Sequence, residues 1–200
     1  MKEKVISAIN FQIKAEEESS RLYFAMANWC EAHGFSGSAS YLYAHAEEER
    51  MHMIKLVKYL NERGAHAATQ ALEEPQNSWN SIQEVFKGVL IHEEMVTSLI
   101  NGLFEICMNE KDYLTSNFLQ WYIQEQVEEE ASARTVLDKL ELAGTSQGGM
   151  FHFDKELQSM ALAAATSTDS CLDIVSLFAL NFFVLKRVGL TLLHRRKVCQ

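Results

Sequence analysis

Proline is almost missing: the 200-residue chain has one, Pro75, and only nine glycines. That scarcity rules out collagen-like and low-complexity chains and argues against a turn-rich β-sandwich. The four cysteines, Cys30, Cys107, Cys171 and Cys199, are far apart, with no CxxC or CxxH pair. Such spacing argues against a zinc knuckle, a rubredoxin-type iron site and a disulfide framework. Basic residues are outnumbered, 18 Lys+Arg against 27 Asp+Glu, for a net charge of −9. A chain this acidic suits cations better than nucleic acid, and no nucleic-acid partner is expected. The longest mostly apolar stretch, Ile174–Leu185, has 12 residues and is followed by Lys186–Arg187. It is too short to span a bilayer, so no membrane partner is expected either. Met1–Lys14 is charged and has no apolar core of a signal peptide, which points to a cytoplasmic location.

What is present is helical. With 48% hydrophobic and 22% charged residues, the chain can build one core of ordinary size. Apolar positions recur at helical spacing in four long segments, about 4–33, 36–63, 81–109 and 113–142. Gly34, Gly64 and Gly144 stop three of them, and Ser81 with Glu84 is read as a capping box. A short fifth helix is expected at about 150–160. Links 1–2 and 3–4 are short, so each pair is an antiparallel hairpin. Link 2–3 has about 14 residues, able to span up to ~46 Å, against ~42 Å for a 28-residue helix. The third helix therefore returns parallel to the second. The expected fold class is an all-α, four-helix bundle with one long crossover.

Each apolar stripe is interrupted near its middle by polar groups. Glu16 lies on the stripe of Ile6, Ile9, Ile13 and Tyr23; Glu49 and His52 lie among Leu42, Ala46, Met53 and Leu56. Glu93 lies among Val89, Val96, Ile100 and Leu103; Gln126 and Glu129 lie among Phe118, Tyr122, Val136 and Leu140. In a bundle of nearly equal helices, midpoints share one level whichever way each helix runs. Four buried carboxylates at one level cannot all ionise without counter-charge, because desolvation and repulsion cost several kcal/mol per group. They are either partly protonated or gathered around cations. Oxygen-rich ligation with one imidazole suits iron or manganese better than structural zinc. One Glu-x-x-His with carboxylates from three other helices is the di-iron carboxylate pattern. Tyr23, seven residues after Glu16, is read either as a packed ring or as a phenol beside the metals. A second acidic set, Glu48, Glu125 and Glu128, is turned ~100° from the first. It is read either as solvated surface or as a looser third cation site.

The segments LYFAMANWC at 22–30, HAEEERMHM at 45–53, HEEM at 92–95, NFLQWYIQEQVEEE at 117–130 and KLELAGTSQGGMFHFDKEL at 139–157 together resemble bacterial non-haem ferritins. The likeness covers about residues 5–163. It implies a homo-oligomer, a 24-mer cage, in which Fe(II) is oxidised by O2 or H2O2 and stored as ferric mineral. Carried over, Glu16, Glu49 and His52 hold a first iron; Glu49, Glu93 and Glu129, with Gln126 close by, hold a second. Glu48, Glu125, Glu128 and Glu129 form a third iron site. Tyr23 matches the family's tyrosine beside the centre, and Trp121 a tryptophan nearby. The fourth helix carries Gln126 and no histidine, an asymmetry that favours storage over a bacterioferritin or rubrerythrin-type oxidase. No haem is predicted. A di-metal oxidase or peroxide-detoxifying bundle without mineral storage is the alternative reading.

The chain departs from the family's pattern at its end. Residues 1–163 are expected to form the ferritin-like di-iron domain. Residues 164–200 are an atypical C-terminal extension, with five bases against two acids and an extra C-terminal helix expected around Cys171–Leu185. In the family the fifth helix packs at a four-fold axis, where such a tail bears on cage assembly.

Overall fold

A computed structural model of the chain describes residues 1–163; the expected C-terminal helix lies outside the described residues. Four long helices follow one another: α1 (Glu3–Ala32), α2 (Ser36–Glu62), α3 (Ile82–Asn109) and α4 (Tyr113–Ala143). A fifth, α5, runs over 147–163, and no strand occurs among the described residues. None of the described helices is long and apolar enough to cross a membrane.

Local chemistry sets the helix ends. The Ser81 hydroxyl accepts from the Glu84 N–H at 3.2 Å, and Asp112 accepts from Thr115 in the same way at the head of α4. The expected capping box is half made. The Glu84 carboxylate accepts from the Asn80 N–H and its side-chain amide, both at 2.8 Å, instead of reaching Ser81. Asn80 offers two donors where Ser81 offers one. The α1–α2 turn passes through Gly34 at φ 84°, a left-handed conformation that costs glycine nothing. α5 begins three residues earlier than the sequence suggests. Ser146 caps it, accepting from Gly149 through its hydroxyl and from Met150 through its carbonyl. Gly148 and Gly149, poor helix formers, mask that start in the sequence.

Packing settles the topology. One apolar cluster joins Val5 and Ile9 at the start of α1 and Leu119 at the start of α4 to Leu56 and Leu60 at the end of α2 and Ile100 and Leu103 at the end of α3. α2 and α3 therefore finish at the same end of the bundle, and the crossover between them spans its length, as expected. The crossover has no helix, but Asn10 of α1 fastens it, bonding His66, Ala68 and Gln70. At the opposite end Asp154 of α5 accepts from the N–H groups of Gly37 and Ser38 and from the Ser38 hydroxyl, at 2.7–2.9 Å. This contact is close enough that a Cβ on Gly37 would lie 1.8 Å from the Asp154 carbonyl oxygen. α1 packs closely on α2 and on α3, and α3 on α4. The α2–α4 seam is wider and is bridged by long polar side chains: Tyr41 to Ser132, Tyr59 to Thr115, and Tyr122 to the His52 carbonyl.

Candidate metal centre

Between the two apolar ends, the helical period turns a set of polar side chains inward. Glu16, Glu49, Glu93, Gln126, Glu129 and His52 are all buried, each with at most 7% of its surface exposed. Glu16, Glu49 and His52 offer ligand atoms within 4.8 Å of one another. A second group at the same spacing joins Glu48, His52, Glu125 and Glu129 across the α2–α4 seam. His52, read from the sequence into the first set alone, belongs geometrically to both. Glu128 lies outside that second group; it is exposed, and its carboxylate accepts from Gln124 at 3.2 Å.

The α3–α4 side is held by hydrogen bonds. The Gln126 amide donates to Glu93 Oε2 at 3.2 Å, to the Glu93 carbonyl at 3.3 Å and to Thr97 at 3.3 Å. The Tyr23 hydroxyl donates to Glu93 Oε1, so the phenol of α1 faces the carboxylate of α3 and not that of its own helix. Trp121 stands edge-on to the His52 ring at 5.3 Å, and its outer face carries the Lys55 ammonium 3.0 Å from the ring centroid.

The basic neighbours paired with these carboxylates are imidazoles. His52 Nδ1 lies 3.6 Å from Glu49, and His45 Nδ1 lies 3.6 Å from Glu129 and 3.8 Å from Glu48. Burial first, then Glu49, raises the pKa of Glu16; burial and Glu93 raise that of Glu49. Burial raises Glu93 against the opposing bond from Tyr23. Burial and then Glu48 push Glu129 up to about 9. Burial also pushes His45 down to about 4. The Tyr23 phenol is raised as well, by burial and then by Glu93. Carboxyls kept out of water and beside one another resist ionising until a counter-charge joins them.

One oxygen of the cluster is left unsatisfied. Glu49 Oε2 is buried and has no hydrogen-bond partner. A buried carboxylate oxygen without a donor is costly unless something else meets it. Oxygen donors from four helices with one or two imidazoles suit a hard or borderline divalent cation, and ferrous iron is among them.

Several neighbours escaped the sequence reading. Gln12 donates to Glu16 Oε1 at 2.9 Å, and His45 stands beside Glu129. Both lie four residues before a carboxylate of the cluster, so the same helical period carried a signal for them. His92 also went unread. Its Nε2 lies 2.8 Å from the Ser19 hydroxyl, and its ring stands edge-on to Tyr23 at 5.6 Å.

Residues 6–143 match the model of the ferritin-like domain family. A Haemophilus influenzae protein named as a probable bacterial non-heme ferritin-like protein is 43% identical over 82% of this chain and 99% of its own. A Campylobacter jejuni bacterial non-heme ferritin is 38% identical over 82% and 98%. The open pore ferritin of Archaeoglobus fulgidus superposes with a TM-score of 0.78 at 42% identity, covering 79% of this chain and 96% of that one. These relatives are matched almost end to end, while about a fifth of this chain has no counterpart in them. From the buried carboxylate layer and this likeness together, the chain belongs to the ferritin family, among the bacterial non-haem ferritins.

Proposed function

We propose that the protein oxidises ferrous iron at the mid-bundle centre and stores the ferric product inside a cage built from copies of itself. The observation that carries this reading is the buried Glu49 oxygen that no hydrogen bond satisfies, set among carboxylates from all four helices. In this reading Glu16, Glu49 and His52 receive one ferrous ion. Glu49, Glu93 and Glu129 receive a second, with the Gln126 amide holding Glu93 in place. Glu48, Glu125 and Glu129 with His52 form the third, looser position, and Glu128 stands at its exposed edge. Entry of each cation expels protons from carboxyls that burial keeps protonated.

Iron is the substrate. Each ferrous ion yields one electron, so a pair supplies two. O2 taking those two electrons and two protons leaves as H2O2; H2O2 taking two electrons and two protons leaves as two waters. The protein's part is to hold two cations together against their repulsion and to exclude bulk water. Tyr23 positions Glu93 through its hydroxyl, and the neutral Gln126 in place of a second histidine leaves the second ion the weaker held. The cage is read as a 24-mer in the cytoplasm, without nucleic-acid or membrane partners.

The test is aerobic addition of Fe(II) to metal-free protein, followed by gel filtration with iron and protein read on the same fractions. Rapid oxidation with many irons per chain co-eluting with a very large species is the expected result. Turnover that leaves no iron with the protein would instead favour a di-metal oxidase.

A further inference from the structure

A groove between α3 and α4 runs from solvent to Gln126, at the edge of the centre. It encloses a cavity of about 250 Å3, lined by Thr97, Ile100, Ile123, Gln126, Val127, Glu130 and Arg134 among others. Val127 and Arg134 are exposed at its mouth, and Gln126 and Ile100 are buried at its floor. At ~30 Å3 per water, that volume holds a cation with several of its waters. A ladder of side chains crosses it. Thr97 Oγ1 donates to Glu130 Oε1 at 2.7 Å, Gln126 Nε2 lies 3.3 Å from Thr97 Oγ1, and the same amide bonds Glu93. Carboxylate, hydroxyl, amide and carboxylate thus follow one another inward at hydrogen-bond spacing; Glu130, Thr97 and Glu93 bring oxygens of the kind a hard cation accepts in place of water, and the Gln126 Nε2 joins them. At the mouth, the Arg134 guanidinium is bonded to Glu130 and lies 3.7 Å from Glu94 Oε1. It occupies the place between two carboxylates where an arriving cation would be met. Its side chain is 51% exposed, so the pair is screened and readily broken.

We propose that the α3–α4 groove is a ferrous-ion entrance to the centre and that Arg134 is its latch. The entrance is separate from the Glu48–Glu125 face at the α2–α4 seam, where Glu48 is exposed and Glu125 half-buried. Arg134 sets the charge of the mouth: paired, it cancels one carboxylate; swung out, it leaves Glu94 and Glu130 to draw the cation toward Thr97 and Gln126. Arg134 is a positioning residue and touches no reacting atom. The inference rests on the proposed ferroxidase reading.

The experiment is stopped-flow mixing of metal-free protein with Co(II), a redox-inert probe whose visible absorbance reports its ligands. Arg134→Gln is expected to speed cation arrival by about threefold or more at low ionic strength, an advantage that salt erases. Arg134→Lys should keep the parent rate. Val127→Trp, which fills the mouth with a bulky ring, should slow arrival with the final cation count unchanged. A merely structural role would not give opposite signs at the two positions or a salt dependence confined to one. Parent rates in both Arg134→Gln and Val127→Trp, with cation binding intact in the parent protein and fewer cations bound by Glu49→Gln, would overturn the entrance alone. No Co(II) uptake by the parent protein would overturn the ferroxidase reading itself.

Discussion

The bundle has two kinds of interior. At the end shared by the starts of α1 and α4, Val5, Ile9, Leu56, Leu60 and Leu119 are fully buried among other apolar groups. One layer further in, Glu16, Glu49 and Glu93 are just as buried, at 1% exposure each, and carry acid groups. The first layer releases apolar surface from water, about 1.5–3 kcal/mol per large side chain. The second works against that gain, since a carboxyl out of water is destabilised unless it is protonated or paired. The same four helices thus stabilise the fold at one level and hold a cation-hungry cluster at the next. Stability and function can therefore be separated by choosing the level at which to substitute.

Leu60→Ala is the largest stability change expected, a loss of about 2–5 kcal/mol from a fully buried site in the apolar cluster. Urea unfolding of the metal-free protein should show a lower midpoint, with cation binding retained at low denaturant. Glu49→Gln should do the reverse. Metal-free stability stays within about 0.5 kcal/mol of the parent or rises, while the stabilisation by Co(II), about 2.7 kcal/mol per site at a hundredfold excess over Kd, falls to what the Glu48–Glu125 group alone supplies. A large stability loss in Glu49→Gln would mean that the polar layer is structural after all.

The pH response sharpens the same contrast. Glu129 titrates at about 9 in the folded chain against an ordinary 4.5. The folded state therefore keeps a proton that the unfolded chain releases. This contribution is complete below pH 4.5 and is lost as pH rises through 9, at no more than about 1.4 kcal/mol per pH unit for one group. His45 and His92 are pushed down to about 4 from 6.5. Their contribution is complete above pH 6.5 and is lost only on acidification through 4, so it does not oppose the trend above pH 6.5. Metal-free protein should melt lower at pH 8.5 than at pH 6.5, and Co(II) should flatten that dependence. The smallest effect belongs far from both layers. Ser81→Ala removes one cap of α3 and should cost about 1 kcal/mol by urea titration, with iron oxidation unchanged.

The four-helix order, the long crossover and the inward turn of Glu16, Glu49, His52, Glu93, Gln126 and Glu129 were legible because one periodicity governs them all. What needed the structure was anything set by the mutual rotation of two helices. Tyr23 shares a face with Glu16 in sequence, yet its hydroxyl reaches Glu93. Glu125 and Glu128 look alike as neighbours of the core set, yet only Glu125 falls within reach of Glu48 and Glu129. His92 and Ser19 meet between α1 and α3 although neither shows a pattern of its own. The ties of the crossover to Asn10 join positions far apart in the chain, which no local signal specifies.

The sequence by itself determined which residues are helical, which face of each helix is apolar and at what height that face turns acidic. Those properties depend on a 3.6-residue period and on charge, both local. The tertiary structure alone decided which carboxylates come within a few ångströms of one another, which oxygen is left without a donor and where the α3–α4 groove lies. Those outcomes hang on ångström-scale distances between helices, fixed by how the whole core packs.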